Sequence, residues 1–254
     1  MRFFTWRFIR VWQRNRDVFF RLWHSEVPLS MAEPVILLLA FGTGMGAYIG
    51  LVNGQQYINY IAPGIIASYA MFSASFECTY ATFLRMEHHY TYDAILATPL
   101  NVEDITAGEI FWGATRAVMT ASIVLAITAA FRLVASPWAL LILPLSFLNG
   151  IMFSAIALFF TSIAPSVYSF NYYFTLFVNP MFLLSGVFFP ITSFPEVLQA
   201  ISGVTPLRPA VEITRALFQG EFPPNLWLAL AIIIAYNAIF FSMTLVTMRR
   251  RLIK

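Results

Sequence analysis

Chemistry on a nucleotide needs a lysine in a particular loop: a P-loop spells G-x-x-x-x-G-K-[ST], with the lysine on the β/γ-phosphates. The chain has 254 residues and one lysine, Lys254, against fourteen arginines. That nucleotide site is therefore excluded, and so is Schiff-base chemistry on an internal lysine. Cys78 is the only cysteine, which rules out an intrachain disulfide and a cysteine-rich metal site. His24, His88 and His89 are too few and too badly placed for a two-histidine zinc motif on one helix face. The expectation is no catalytic residue, no metal and no cofactor held by this chain. The charges that stand out are Glu77 and Arg116, because each interrupts an apolar run.

The elements that position them are membrane helices. Hydrophobic residues make up 59% of the chain, aromatic ones 17% and charged ones 11%, with a net charge of +3 and a mean hydropathy of +0.74. A soluble domain carries about 25% charged residues. Between Arg132 and Glu196 lie 63 uncharged residues. As one helix they would run roughly 95 Å at 1.5 Å per residue, about three times the hydrocarbon thickness. The stretch must fold back, and Ala164-Pro165-Ser166 is its best turn signal. The resulting expectation is an all-α integral membrane domain over 1–254, with six spans near 31–52, 60–84, 107–131, 138–163, 168–189 and 224–248. Pro34 suits the first turn of span one.

Arginine placement sets the orientation. Arg2, Arg7, Arg10, Arg14, Arg16 and Arg21 precede the first span, and Arg249, Arg250, Arg251 and Lys254 follow the last. Both termini are expected in the cytoplasm, with Arg85 in a cytoplasmic loop and Arg132, Arg208 and Arg215 outside. Along 1–24, Arg7, Arg10, Arg14 and Arg21 form a basic stripe, while Phe4, Phe8, Trp12, Phe19 and Trp23 mostly occupy the remaining positions. That pattern describes a helix lying in the membrane interface, as an anchor, as a docking surface for a cytoplasmic partner, or as both.

Glu77 and Arg116 fall at similar depth on consecutive antiparallel spans. Each alone would cost about 2.5–3.5 kcal/mol near a helix centre, so a Glu77–Arg116 pair is expected, structural rather than part of a proton relay. Gly42, Gly46 and Gly50 recur every four residues in span one, the spacing that lets helix backbones approach closely. The loop 85–106 carries a short helix over 92–97, stopped before Pro99. Asn101 or Thr98 is available to cap the next helix, with Glu103 and Asp104 in its first turn. Residues 190–223 are rich in proline and contain short helices near 195–203 and 209–219. They read as an external, partly re-entrant cap, with a plain external loop as the alternative.

This arrangement resembles the ABC-2 type permeases, the membrane subunits of polysaccharide and lipo-oligosaccharide exporters, and among them the nodulation protein J group. The resemblance covers nearly the whole chain. It rests on Glu33-Pro34-Val35-Ile36, the run from Glu77 to Leu84, Arg85-Met86, Gly108-Glu109-Ile110 with Ala114-Thr115-Arg116, and Leu184-Ser185-Gly186-Val187-Phe188-Phe189-Pro190. In the family's C-terminal signature, Pro206-Leu207-Arg208 and Arg215 fit, but Pro209 stands where the family has His or Ser.

The resemblance implies two permease copies with two copies of a separate ABC ATPase that binds ATP-Mg. It also implies coupling through Tyr90, Tyr92, Asp93, Ile95, Leu96 and Pro99. It places the protein in the bacterial inner membrane, among lipid, with no nucleic-acid partner. The implied substrate is an amphiphilic glycolipid or polysaccharide moved outward between the two permeases. Phe41, Tyr48, Tyr168, Tyr172, Tyr173 and Phe177 are candidates for lining that path. A drug or lipid exporter permease is the nearest alternative reading. An intramembrane enzyme near Ser185 is disfavoured because every histidine is expected at the cytoplasmic side. A secondary transporter would have only Glu77 for a coupling ion, and a membrane scaffold is the remaining alternative.

Overall fold

A computed structural model of the chain describes residues 5–52 and 54–253; Arg2, Phe4 and Lys254 lie outside them. The described residues are helical apart from turns and one small antiparallel hairpin, β1 (Leu51–Val52) with β2 (Gln55–Gln56), in which Leu51 pairs with Gln56. The helices are α1 (Phe8–Leu39), α2 (Gly46–Ile49), α3 (Tyr57–Phe76), α4 (Thr91–Leu96), α5 (Val102–Ala130), α6 (Ile142–Ile163), α7 (Ser169–Tyr173), α8 (Asn179–Leu184), α9 (Glu196–Val204), α10 (Leu207–Gln219) and α11 (Leu226–Leu252). Among the described residues, four stretches are long and apolar enough to cross a membrane: Phe8–Ile49, Val102–Ala130, Pro137–Ile163 and Leu226–Leu252. The chain is a multi-pass membrane protein.

Local chemistry explains the helix ends. At the start of α5, the Asp104 carboxylate accepts the Asn101 backbone N–H at 3.3 Å, one half of a capping box. The Ser136 hydroxyl accepts the Trp138 N–H, and Pro137 opens the 3₁₀ turn that leads into α6. α6 stops at Ile163 because Ala164, preceding Pro165, takes an extended conformation. α10 ends on Gly220 at φ 86°, where a Cβ would run into Ser136.

The core is built where α3, α5 and α6 meet. Glycines set the close approaches: a Cβ at Gly113 would collide with Ser154 and Cys78, and one at Gly150 with the Ala114 backbone. Side-chain polar groups then tie neighbouring helices through backbone carbonyls. Asn149 donates to Ala67 O at 3.2 Å, Thr161 to Cys78 O at 2.8 Å and Thr244 to Ala155 O at 2.8 Å. Such bonds take the place of the hydrophobic drive that lipid removes.

Three boundaries differ from the sequence expectation. The helix over 1–24 and the span at 31–52 are one continuous helix, with Pro28 and Pro34 inside α1. An interior proline costs about 3 kcal/mol. Here α1 is held on both sides of that cost: Val11, Asn15 and Phe19 are buried against α5, and Leu38 is buried further on. Second, the helix after α3 runs on through wide turns at Glu77–Ala81 and Leu84–His88, past the expected loop start at 85. Ion pairs on Arg85, described below, keep that turn inside. Third, helix in the fifth segment ends at Leu184, before 189, and Gly186 takes φ 78°.

Candidate functional site

The helices bring two sets of chain ends together. At one end, the Thr5 N–H donates to the Asp104 carboxylate at 2.6 Å, Arg7 donates to Pro99 O at 2.5 Å, and Arg14 reaches the Thr91 hydroxyl at 3.5 Å. Arg249 pairs with Glu103 at 3.4 Å there, and Arg251 with Glu87 at 2.9 Å. The N-terminal segment, α4 and the C-terminus therefore share one face. At the opposite end, Gln219 donates to Gln55 at 2.9 Å and the Ala135 N–H to Phe218 O at 3.3 Å.

An ion network sits just inside the first end. Arg85 donates to Glu77 Oε1 at 2.9 Å, to Glu109 Oε2 at 2.7 Å and to the Thr82 hydroxyl at 3.1 Å. Arg116 lies 3.5 Å from Glu77 Oε2 through its Nε and makes a shorter contact, 2.9 Å, with Glu26 of α1. Its guanidinium also stands over the Phe19 ring at 4.6 Å. The expected Glu77–Arg116 pair is thus one edge of a five-residue chain, and Arg85 is the nearer cation to Glu77. The wide turns place residues 77 and 85 on a common face. Eight residues apart in a regular α-helix, they would diverge by about 80°. Glu109, fully buried, completes the network. The signal available in the sequence was its position seven residues before Arg116, two helical turns along the same face.

α4 lies against this network. Tyr90 enters it in the left-handed region at φ 48° and is exposed, as are Asp93 and Pro99. Ile95 and Leu96 are half-buried against the core. Tyr92 differs from the expectation of a partner-facing residue: it is 1% exposed and faces inward, toward the Arg85–Glu109 pair. Its hydroxyl faces the Glu109 carboxylate without a well-formed hydrogen bond. Burial, followed by that carboxylate, pushes the Tyr92 phenol well above its ordinary value, while Arg85 acts in the opposite direction. The group stays a neutral phenol throughout the physiological range. Between α4, the α6–α7 turn and the end of α11 lies a cavity of about 720 Å³ bordered by Glu87, Tyr90, Asp93, Pro165 and Arg250.

The expected path residues separate into two groups. Tyr48, Tyr168 and Tyr172 are 93%, 80% and 68% exposed, and Phe177 is exposed on the same helical segment. Phe41 packs at a tilt against Phe188, with ring centroids 5.2 Å apart, and Tyr173 is buried with its hydroxyl 3.3 Å from that of Ser75. Tyr173 is thereby a packing contact between α7 and α3, since a buried phenol needs a polar partner. The glycine stripe divides as well. A Cβ at Gly42 would collide with Ile58, one at Gly46 would rest 3.8 Å from Tyr57, and one at Gly50 would meet nothing within 4 Å. Gly50 serves the turn instead, at φ 69° where α2 ends. Ser185, where an acyl-transfer reading would begin, spends its hydroxyl on Met181 O at 2.6 Å.

Two arginines do work that sequence position alone concealed. Arg215 donates to Gly186 O at 2.7 Å and lies over the Tyr60 ring at 4.0 Å, fastening α10 to α3. Arg251 donates to Thr161 O and Ser162 O at 3.1 Å and to Ala164 O at 2.6 Å, at the negative end of the α6 dipole. Arg251→Gln is expected to leave those carbonyls without their cation. Hydrogen exchange of the amides in 161–165 and 249–253 should quicken together, and unchanged exchange in either segment would show that the clamp carries no strain.

Taken together, these features define a helical membrane protein with a buried ion network beneath a short helix on one face. The chain belongs to the ABC-2 type transporter family, whose pattern it matches over residues 5–219. It is 36% identical to nodulation protein J of Sinorhizobium fredii over 210 residues, covering 83% of this chain and 80% of that protein. It is 32% identical to nodulation protein J of Rhizobium meliloti over 247 residues, covering 97% and 94%. An Escherichia coli protein named inner membrane transport permease YadH is 23% identical over 198 residues, covering 78% and 77%.

Proposed function

We propose that the chain is the membrane permease subunit of an ATP-driven exporter of an amphiphilic lipo-oligosaccharide or polysaccharide. The observation that carries this reading is the end-to-end similarity to several proteins named nodulation protein J. With one lysine, at position 254, the chain has no P-loop, so ATP-Mg is held and hydrolysed by a separate ABC ATPase. Two copies of each subunit assemble in the bacterial inner membrane, and the substrate leaves between the two permeases.

In this reading the four long spans are joined by α3 with its continuation and by α7–α8 to make six crossings, and 190–223 dips into the outer leaflet. Both termini are then cytoplasmic, which agrees with the eleven-to-three excess of basic residues on that side. The ATPase grips α4 and its flanks through Tyr90, Asp93 and Pro99, beside the 720 Å³ cavity. Tyr92 passes the movement inward.

The test is reconstitution in vesicles. The purified chain alone should hydrolyse no ATP; with its ATPase, hydrolysis should accompany movement of a labelled lipo-oligosaccharide across the bilayer. ATP hydrolysis by the chain alone, or full transport without the ATPase, would sink the reading.

A further inference from the structure

We propose that the cavity between α1, α3 and α5 is a sugar subsite that holds the oligosaccharide head of the exported amphiphile; this rests on the export reading above. The cavity encloses about 570 Å³, within the range of about 300–1,000 Å³ usual for small-molecule sites. One wall is a stripe of rings, Tyr69, Phe72, Phe76 and Tyr80. Their spacings of 3, 4 and 4 put them on one helix face. Successive ring centroids lie 5.6, 6.5 and 5.8 Å apart. The stripe continues onto Phe174 beyond α7, whose ring stacks on Phe76 at 4.3 Å. The other wall carries Glu33, Glu77 and Arg116.

A pyranose has an apolar C–H face and a rim of hydroxyls, and these two walls complement it. At Glu77 and Glu26 the ions favour a neutral ligand over a cation, while Glu33 faces the Tyr69 phenol. Glu77 is already compensated by Arg85 and Arg116, and Glu26 at the cavity edge by Arg116. Hydroxyls can add to paired ions without displacing either partner, whereas a cation would have to compete with both arginines. The Arg116 Nε–H is buried and has no acceptor of good geometry. A ligand hydroxyl oxygen supplies one, and a hydrocarbon tail does not.

The test uses the full chain in lipid nanodiscs and dodecyl maltoside bearing a diazirine on the sugar, photolysed and mapped by mass spectrometry. Labels are expected within 69–84 and 116–120. Free maltotetraose should reduce them at least fivefold, and dodecyltrimethylammonium should leave them unchanged. Phe72→Ala should lower labelling at least fivefold, while Leu228→Ala, an exposed change on α11 outside the cavity, should leave it unchanged. Labels confined to peptides outside the cavity, or competition by the ammonium compound alone, would overturn the subsite. If the cavity labels as expected but the chain with its ATPase moves no glycolipid, the export reading falls and the subsite stands. If export proceeds at the wild-type rate in Phe72→Ala and the cavity never labels, the subsite falls and the export reading stands.

Discussion

Arg85→Ala should nearly abolish the yield of folded, membrane-inserted protein. The substitution strips the cation from Glu109, which is fully buried, and the nearer of two cations from Glu77, whose side chain is 11% exposed. Removing one partner of a buried ion pair costs about 3–5 kcal/mol, because the remaining charge is left without compensation. Marginally stable proteins hold only about 5–15 kcal/mol in total. The measurement is the monodisperse fraction after detergent extraction, followed by its melting temperature.

Arg85→Met combined with Glu109→Gln should recover most of the loss, since a buried pair replaced by neutral groups is often tolerated. If the double variant is as poor as the single, the cost lies in packing around Arg85 and not in its charge. Arg116→Ala should be milder, because its closer partner Glu26 has a side chain 44% exposed and can be rehydrated. A charge exchange between Glu77 and Arg116 is expected to fail. It would set an arginine at position 77 against Arg85, which the structure holds 2.9 Å from Glu77.

The second large effect is at Gly150, where α6 crosses α5. A Cβ there would lie 2.7 Å from Ala114 Cα and 2.8 Å from Ala117 Cβ. The first of these is backbone, which cannot rotate away, so the two helices must separate. Overpacking of this kind typically costs about 1–3 kcal/mol, and Gly150→Ala belongs at the upper end. Gly44→Ala is the matched control, because its Cβ meets nothing within 4 Å and alanine favours helix over glycine. Thermal unfolding of both variants in the same detergent decides the matter. Equal melting temperatures would mean that the α5–α6 approach has slack.

A large part of the architecture was legible along the chain. The uncharged stretch from 133 to 195 required a fold-back, and Pro165 terminates α6 by forcing Ala164 out of helical geometry. Asn101 and Asp104 mark the start of α5 through short-range hydrogen bonding. These are properties of neighbours in sequence, and they need no knowledge of the rest of the molecule. Glu77 and Arg116 were visible for a similar reason, since a charge inside an apolar run is costly wherever the helix goes.

Their true surroundings were not visible. Whether Glu77 meets Arg85, Arg116 or both depends on the wide turns at Glu77–Ala81 and Leu84–His88, which rotate the face downstream. Periodicity assumed a regular helix and could not register that rotation. The continuity of α1 was hidden likewise: proline statistics argue for a break near 34, and only burial of Val11, Asn15, Phe19 and Leu38 outweighs them. Tyr92, read as a contact for a partner, became an inward-facing ring for the same kind of reason.

By itself, the sequence determined that this chain lives in a membrane and carries no P-loop of its own. Both follow from composition and from the position of one lysine, which no arrangement in space can alter. The tertiary structure decided which ions meet, which glycines permit contact and which aromatics face outward. Those outcomes depend on how each helix is rotated against its neighbours. One residue of offset turns a side chain by about 100°, enough to exchange a buried partner for lipid.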